Sequence, residues 1–102
     1  MRARVESGPD KFAIHFDAID FKAGNARMIG NQGAVDVLAA EGEAGITFIE
    51  RTPVGNFNMT TVFPWHGAEG DFAAVTSRHV SLAGFYEAPA VSQRYGVCKI
   101  FQ

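Results

Sequence analysis

The chain has 102 residues, of which 47% are apolar and 20% charged, and its nine basic and eleven acidic side chains give a net charge of −2. This length fits one domain with a single core, which buries roughly 65% of the surface that the unfolded chain exposes. Because both signs of charge are dispersed along the chain, it lacks the basic patch that a phosphate backbone requires. We therefore expect no nucleic-acid partner.

Three features of the sequence bear on the compartment. No apolar stretch approaches the roughly 18 residues that a membrane-spanning helix needs. Residues 1–9 lack the apolar segment of a secretion signal, and Cys98 is the only cysteine, so no disulfide can form within the chain. We expect a cytoplasmic protein in a reducing compartment, with no membrane partner.

Glycine–asparagine pairs stand beside short runs of β-branched and aromatic residues, at Gly24-Asn25, Gly30-Asn31 and Gly55-Asn56. Both residue types tolerate a positive φ, so the pairs predict tight turns between strands. The first predicted strand covers residues 11–17, in which alternate side chains are aromatic or aliphatic and would face one side. A short apolar strand follows at 26–29.

Residues 34–40 fit two kinds of element. Leu38 lies on a possible helical face with Val35, and Gly42 could end a helix there. Two β-branched valines, Val35 and Val37, and the shortness of the segment favour a strand. We predict a strand, and the alternative is an α+β domain with one helix at about 33–41.

The strongest local signal is a predicted hairpin. Residues 46–51 and 57–63 are rich in strand-forming residues, and residues 52–56 between them carry proline, glycine and asparagine. The remaining expectations are a loop at 64–71, a strand at 72–82, a turn near Gly84, a bend or short helical turn at 87–89, and a last strand at 97–101.

Seven or eight strands at a spacing of about 8 to 12 residues, without a long amphipathic helix, predict one all-β domain over residues 1–102. The architecture is an antiparallel sandwich or a small barrel of 7–8 strands. Nine phenylalanines are many for a chain of this size. We therefore expect aromatic packing to dominate the core.

Aromatic and arginine side chains suggest a ligand site or an interface. The candidate ligand-binding residues are Trp65, Arg78, His79, Tyr86, Arg94 and Tyr95. We predict a non-catalytic binding or assembly domain that holds a small-molecule ligand or self-associates as a homodimer through this cluster. The alternative is a small barrel-like enzyme that uses His79 or His15 with Arg78 on an anionic substrate. This alternative requires that His79, Arg78 and an acidic side chain open onto one pocket.

The sequence gives weaker support for nucleophilic catalysis, metal binding or a reactive cysteine. Ser77 and His79 would share a strand face but stand about two rises of 3.3 Å apart, which is long for a nucleophile and its base. His15, His66 and His79 lie on separate elements, so we expect no metal site and no cofactor. Cys98 lies in an apolar run and is expected to be a small buried side chain.

Overall fold

The chain is an all-β barrel in the computed structural model, which describes residues 2–7, 12–30, 33–43, 45–51, 56–66, 71–80 and 90–101. Its eight strands are β1 Arg2–Ser7, β2 Phe12–Asp20, β3 Asn25–Gly30, β4 Gly33–Gly42, β5 Gly45–Arg51, β6 Phe57–His66, β7 Phe72–Val80 and β8 Ala90–Phe101. Each strand pairs antiparallel with the next, and β1 pairs with β8 to close the barrel. The predicted all-β class is confirmed, and the barrel is the architecture that forms. Within these described residues no helix is long and apolar enough to cross a membrane.

The segment for which both a strand and a helix were considered forms strand β4, so the alternative prediction of a helix at about 33–41 is wrong. Val37 and Ala39 are buried whereas Leu38 between them is exposed, which is the two-residue period of a strand. Val37 pairs with Ala26 of β3. The predicted hairpin of residues 46–51 and 57–63 is also present, as β5 and β6 in antiparallel register.

The first and last strands differ from the prediction. Strand β1 was not predicted, because its apolar content is low: only Ala3 and Val5 are buried, and Arg4 and Glu6 alternate with them. Two neighbours, β2 and β8, stabilise it by pairing along its length. Strand β8 begins at Ala90 rather than at residue 97, because its polar first half pairs with β7.

The predicted loop at 64–71 is wrong at its start, because β6 continues through Pro64 to His66. The pairing of β6 with β7 shifts register between Val62 and His66. A proline has no amide hydrogen to donate, and an irregularity in the ladder is a place where strands tolerate it. The predicted turn near Gly84 and the bend at 87–89 lie outside the described residues.

Small side chains fill much of the barrel interior. The buried core residues are Ala3, Val5, Ile14, Phe16, Ala26, Val37, Ala39, Phe48, Val62, Ala74 and Cys98. Of the phenylalanines whose side chains are described, only Phe16 and Phe48 are fully buried, and Phe57 and Phe101 are exposed on the outside. The expectation of a core dominated by aromatic packing is therefore corrected: an eight-stranded barrel has a narrow interior that large and small side chains fill together.

The two buried phenylalanine rings stack on each other across this interior. Phe16 of β2 and Phe48 of β5 lie on strands that are not neighbours, and their ring centroids are 4.0 Å apart with an interplanar angle of 9°. Each residue lies near the middle of its strand. The stack therefore closes the middle of the barrel.

Two positions have unusual backbone geometry. Ala18 has φ of 50° in the irregular stretch of β2 between Asp17 and Asp20, where the register with β3 shifts. Gly45 has φ of 134° at the start of β5. A Cβ atom at Gly45 would lie 2.1 Å from the carbonyl oxygen of Val62, so β6 approaches this glycine closely.

A candidate ligand cavity at one end of the barrel

A cavity of about 500 Å³ lies inside one end of the barrel. Antiparallel neighbours run in alternate directions, so the four odd-numbered strands end and the four even-numbered strands begin at this end. Ile14, Gly30, Glu50, Asn58 and Arg78 line the cavity close to these strand ends. Its volume falls within the range of about 300–1,000 Å³ that is typical of small-molecule sites.

The floor of the cavity is apolar. The stacked rings of Phe16 and Phe48 line it, together with Ile14, Met28 and Val37. All except the half-buried Met28 are buried core residues. A ligand that reaches this floor would contact hydrocarbon and aromatic surface.

Near the mouth, a row of three polar side chains crosses β5, β6 and β7. Glu50 pairs in register with Asn58, and Asn58 pairs with Arg78, so all three project from the same face of the sheet. The Asn58 amide Nδ2 donates a hydrogen bond to Glu50 Oε1, and Arg78 Nε donates to Asn58 Oδ1 at 3.0 Å. A carboxylate only accepts and a guanidinium only donates, so the two neighbours fix the orientation of the amide.

One step deeper, two threonines face each other. Thr60 and Thr76 are each 3% exposed, and their hydroxyl oxygens are 3.1 Å apart. Each hydroxyl has one hydrogen, so a bond between the two leaves one hydroxyl hydrogen that can be donated elsewhere. Both residues line the cavity beside Phe48, which places this donor at the edge of the apolar floor.

The guanidinium of Arg78 has no carboxylate oxygen within 4.0 Å among the residues that the structure describes. Its hydrogen bond to Asn58 uses Nε, and within the described part of the chain no acceptor meets its two terminal nitrogens. The residue is exposed at the mouth, although its neighbours Asn58 and Glu50 are half-buried. A molecule in the cavity would meet a cationic group that presents two parallel N–H donors.

The structure separates the predicted ligand-binding residues onto two faces. Arg78 lines the cavity, and Arg94 shares its inward face, because Arg94 pairs with the buried Thr76. His79 and Tyr95 follow these arginines in sequence and are exposed on the outer face, Tyr95 at 79%. The side chains of consecutive strand residues point to opposite faces of the sheet, so in each of these adjacent pairs the arginine faces the interior and its neighbour faces outward.

Two further candidates cannot be joined to the cavity. Trp65 belongs to β6 near the opposite end of the barrel, and its side chain is not among those described. Tyr86 lies outside the described residues. Sequence reasoning missed Glu50, Asn58 and the two threonines, although the predicted β5–β6 hairpin already implies that Glu50 and Asn58 lie on adjacent strands.

The histidines do not join Arg78. His79 is on the outer face, and His15 is exposed on the outer face of β2, so neither lines the cavity. The shared pocket that the enzyme alternative requires is therefore not formed by His79 and Arg78. Asp17, which follows His15 on that face, accepts two hydrogen bonds from Arg27 at 2.7 and 2.6 Å, and this pairing lowers the pKa of the Asp17 carboxyl.

Cys98 is a fully buried side chain of the barrel interior, as expected. Burial raises the pKa of its thiol to about 11, which keeps it protonated at neutral pH. Among the residues that the structure describes, no group of three or more histidine, cysteine, aspartate or glutamate side chains could hold a metal ion.

Comparisons with known proteins add no relative. No family model matches the chain, and neither a curated protein nor a solved structure shows significant similarity to it. The residues of the cavity are thus the basis on which a function can be assigned.

Proposed function

We propose that this protein is a non-catalytic binding domain that holds a small, largely apolar molecule in the end cavity of its barrel. The observation that carries the proposal is the arrangement of the cavity: an apolar floor closed by Phe16 and Phe48 and a polar mouth formed by Glu50, Asn58 and Arg78. Ligand sites in proteins combine apolar walls with a few placed polar groups in this manner.

The apolar floor supplies the driving force for binding. An aromatic body that buries about 150–200 Å² gains roughly 4–5 kcal/mol before the entropic cost of association. The strands that carry the floor are paired on both sides, so the site is formed without a ligand. A rigid site of this kind avoids the ordering cost that a flexible one would incur.

The test is binding of N-phenyl-1-naphthylamine, a neutral apolar fluorophore. We expect its fluorescence to rise saturably with one probe per chain. Gly30 lines the cavity, and a Cβ there would meet no atom within 4 Å, so Gly30→Phe should fill the cavity and weaken probe binding at least about tenfold, or ~1.4 kcal/mol.

Gly42→Phe is the matched control, because a Cβ at Gly42 also meets nothing within 4 Å and Gly42 does not line the cavity. We expect Gly42→Phe to bind the probe as the parent protein does. Absence of saturable binding to the parent protein, or equal loss in both variants, would refute the proposal.

Self-association is a second candidate, and a row of exposed and half-buried apolar side chains on the outer face favours it. Leu38, Ile49 and Met59 pair in register on the outer face of β4, β5 and β6, and Leu38 is 62% exposed. Asp36 and Arg51 border the same surface. A two-fold axis through the middle of this surface would place the acid of one copy near the base of the other, so this border is compatible with a second copy of the chain.

Sedimentation over the micromolar range tests this second candidate. We expect a homodimer that Leu38→Lys converts to a monomer, because a charge in this row of apolar side chains would be buried at the interface without a partner. Tyr95→Lys, on the outer face of β8, is the control and should remain dimeric. A monomer of 11.0 kDa at every concentration would refute self-association.

A further inference from the structure

We infer that the ligand is a small monocarboxylate with an apolar body, whose carboxylate is bound at the cavity mouth by the guanidinium of Arg78. This inference rests on the proposed function and names the class of molecule that the cavity takes. It follows from three features of the site: the geometry of the arginine, the distance from mouth to floor, and the charge of the neighbouring groups.

The arginine is held in place by its own row of hydrogen bonds. Glu50 accepts from the Asn58 amide, and the Asn58 oxygen accepts from Arg78 Nε at 3.0 Å. Because Nε is bound on the side of β6 and the terminal nitrogens have no acceptor among the described residues, their fork remains for a ligand. A planar carboxylate matches the two parallel N–H groups of a guanidinium, and such a pair is stronger than a neutral hydrogen bond.

The strand geometry sets the dimension of the ligand. Arg78 follows Thr76 by two residues on β7, a distance of roughly 7 Å along a strand. Thr76 and Thr60 lie beside Phe48 in the register, at the level of the apolar floor. A ligand whose carboxylate lies at Arg78 therefore needs an apolar body that reaches about 7 Å deeper, and the remaining threonine hydroxyl hydrogen can donate to a polar atom at that depth.

The charge of the mouth favours a single negative charge over two. Glu50 lies in the same row as Arg78, one strand beyond Asn58, and among the described residues that line the cavity these two are the one carboxylate and the one guanidinium. A second negative charge on the ligand would be repelled by Glu50, and the described lining offers no second cation to balance it, since Arg94 faces inward on β8 but is not part of that lining. A monocarboxylate satisfies Arg78 and avoids this repulsion.

The experiment displaces N-phenyl-1-naphthylamine with two competitors of matched shape, 4-phenylbutyrate and the neutral 4-phenylbutanamide. In the parent protein we expect the carboxylate to compete about 10- to 100-fold more strongly than the amide. In Arg78→Gln this preference should disappear while the probe still binds, which also shows that the variant is folded. Arg78→Lys should retain part of the preference, because it retains the charge but not the fork.

Arg27→Gln is the matched control. It removes the same charge from the outer face of β3, where the ion pair with Asp17 is exposed, and should leave the preference unchanged. Equal competition by carboxylate and amide in the parent protein, or a preference that persists in Arg78→Gln, overturns the inference and leaves the proposed function standing. Failure of the parent protein to bind the neutral probe refutes the proposed function itself, and the inference with it.

Discussion

Replacing Gly45 with alanine is expected to destabilise the barrel far more than the same change at Gly42, although the two glycines pair with each other across the β4–β5 hairpin. The difference lies in what a methyl group would meet. At Gly45 a Cβ would lie 2.1 Å from the Val62 carbonyl oxygen and 3.0 Å from its carbon, whereas at Gly42 it would meet nothing within 4 Å.

Two costs add at Gly45. Its φ of 134° is a conformation that residues with a side chain rarely adopt, and such backbone strain costs about 1–3 kcal/mol. Because the obstructing atoms belong to the backbone of β6, the strand must move, and overpacking of this kind costs a further ~1–3 kcal/mol. We expect Gly45→Ala to lower the free energy of unfolding by about 2–6 kcal/mol, and Gly42→Ala to change it by at most about 1 kcal/mol.

Urea unfolding, followed by circular dichroism, measures both differences. Thermal unfolding provides a second readout, since 1 kcal/mol corresponds to a shift of about 4–8 °C in Tm for a domain of this size. If Gly45→Ala and Gly42→Ala unfold with free energies within about 0.5 kcal/mol of each other, the close approach of β6 to Gly45 does not exist in solution and the reasoning is refuted. The two variants are compared with each other, so the stability of the parent protein need not be known beforehand.

Three further predictions concern strain, titration and buried hydroxyls. Ala18→Gly should be neutral or stabilise by up to about 1 kcal/mol in urea unfolding, because it relieves the positive φ of Ala18; a clear loss would contradict this. Folding raises the pKa of the Cys98 thiol from 9.0 to about 11, so the thiol loses its proton at lower pH in the unfolded state than in the folded state. The free energy of unfolding should therefore fall by up to ~3 kcal/mol between pH 9 and 11, and it should be unaffected below pH 9. Unfolding curves of Cys98→Ala should lack this component, and identical pH slopes would exclude it. Thr60→Val should cost about 1–3 kcal/mol because it leaves the Thr76 hydroxyl without its partner, and the double variant with Thr76→Val should recover part of the loss; additive losses in this double-mutant cycle would show that the hydroxyls do not interact.

Local patterns predict the strands well where one face is apolar. The alternation of residues 11–17 and the β-branched valines of residues 34–40 each predicted a strand, and both strands are present as β2 and β4. Strand β1 was not predicted, because its polar side chains outnumber its two buried apolar side chains. Its stability comes from pairing with β2 and β8, and β8 lies at the far end of the sequence.

In the candidate site, too, the sequence predicted part of the arrangement and distant strands determined the rest. Arg78 and Arg94 were predicted from residue type, and both lie on the inner face. His79 and Tyr95 were predicted with them because they are adjacent in sequence, but adjacency along a strand places side chains on opposite faces. Asn58 gave no signal of its own, since its role depends on Glu50 and Arg78, which reach it from two other strands.

The sequence by itself determined the all-β class, the β5–β6 hairpin and the burial of Cys98, because two-residue periodicity and turn chemistry act within a few neighbouring residues. Only the tertiary structure decided that the sheet closes, which face of each strand becomes the interior, and that Phe16 and Phe48 meet across it. Closure joins β1 to β8 over nearly the whole length of the chain. Contacts of that range depend on register and curvature summed over all eight strands, so no local pattern can specify the cavity that they enclose.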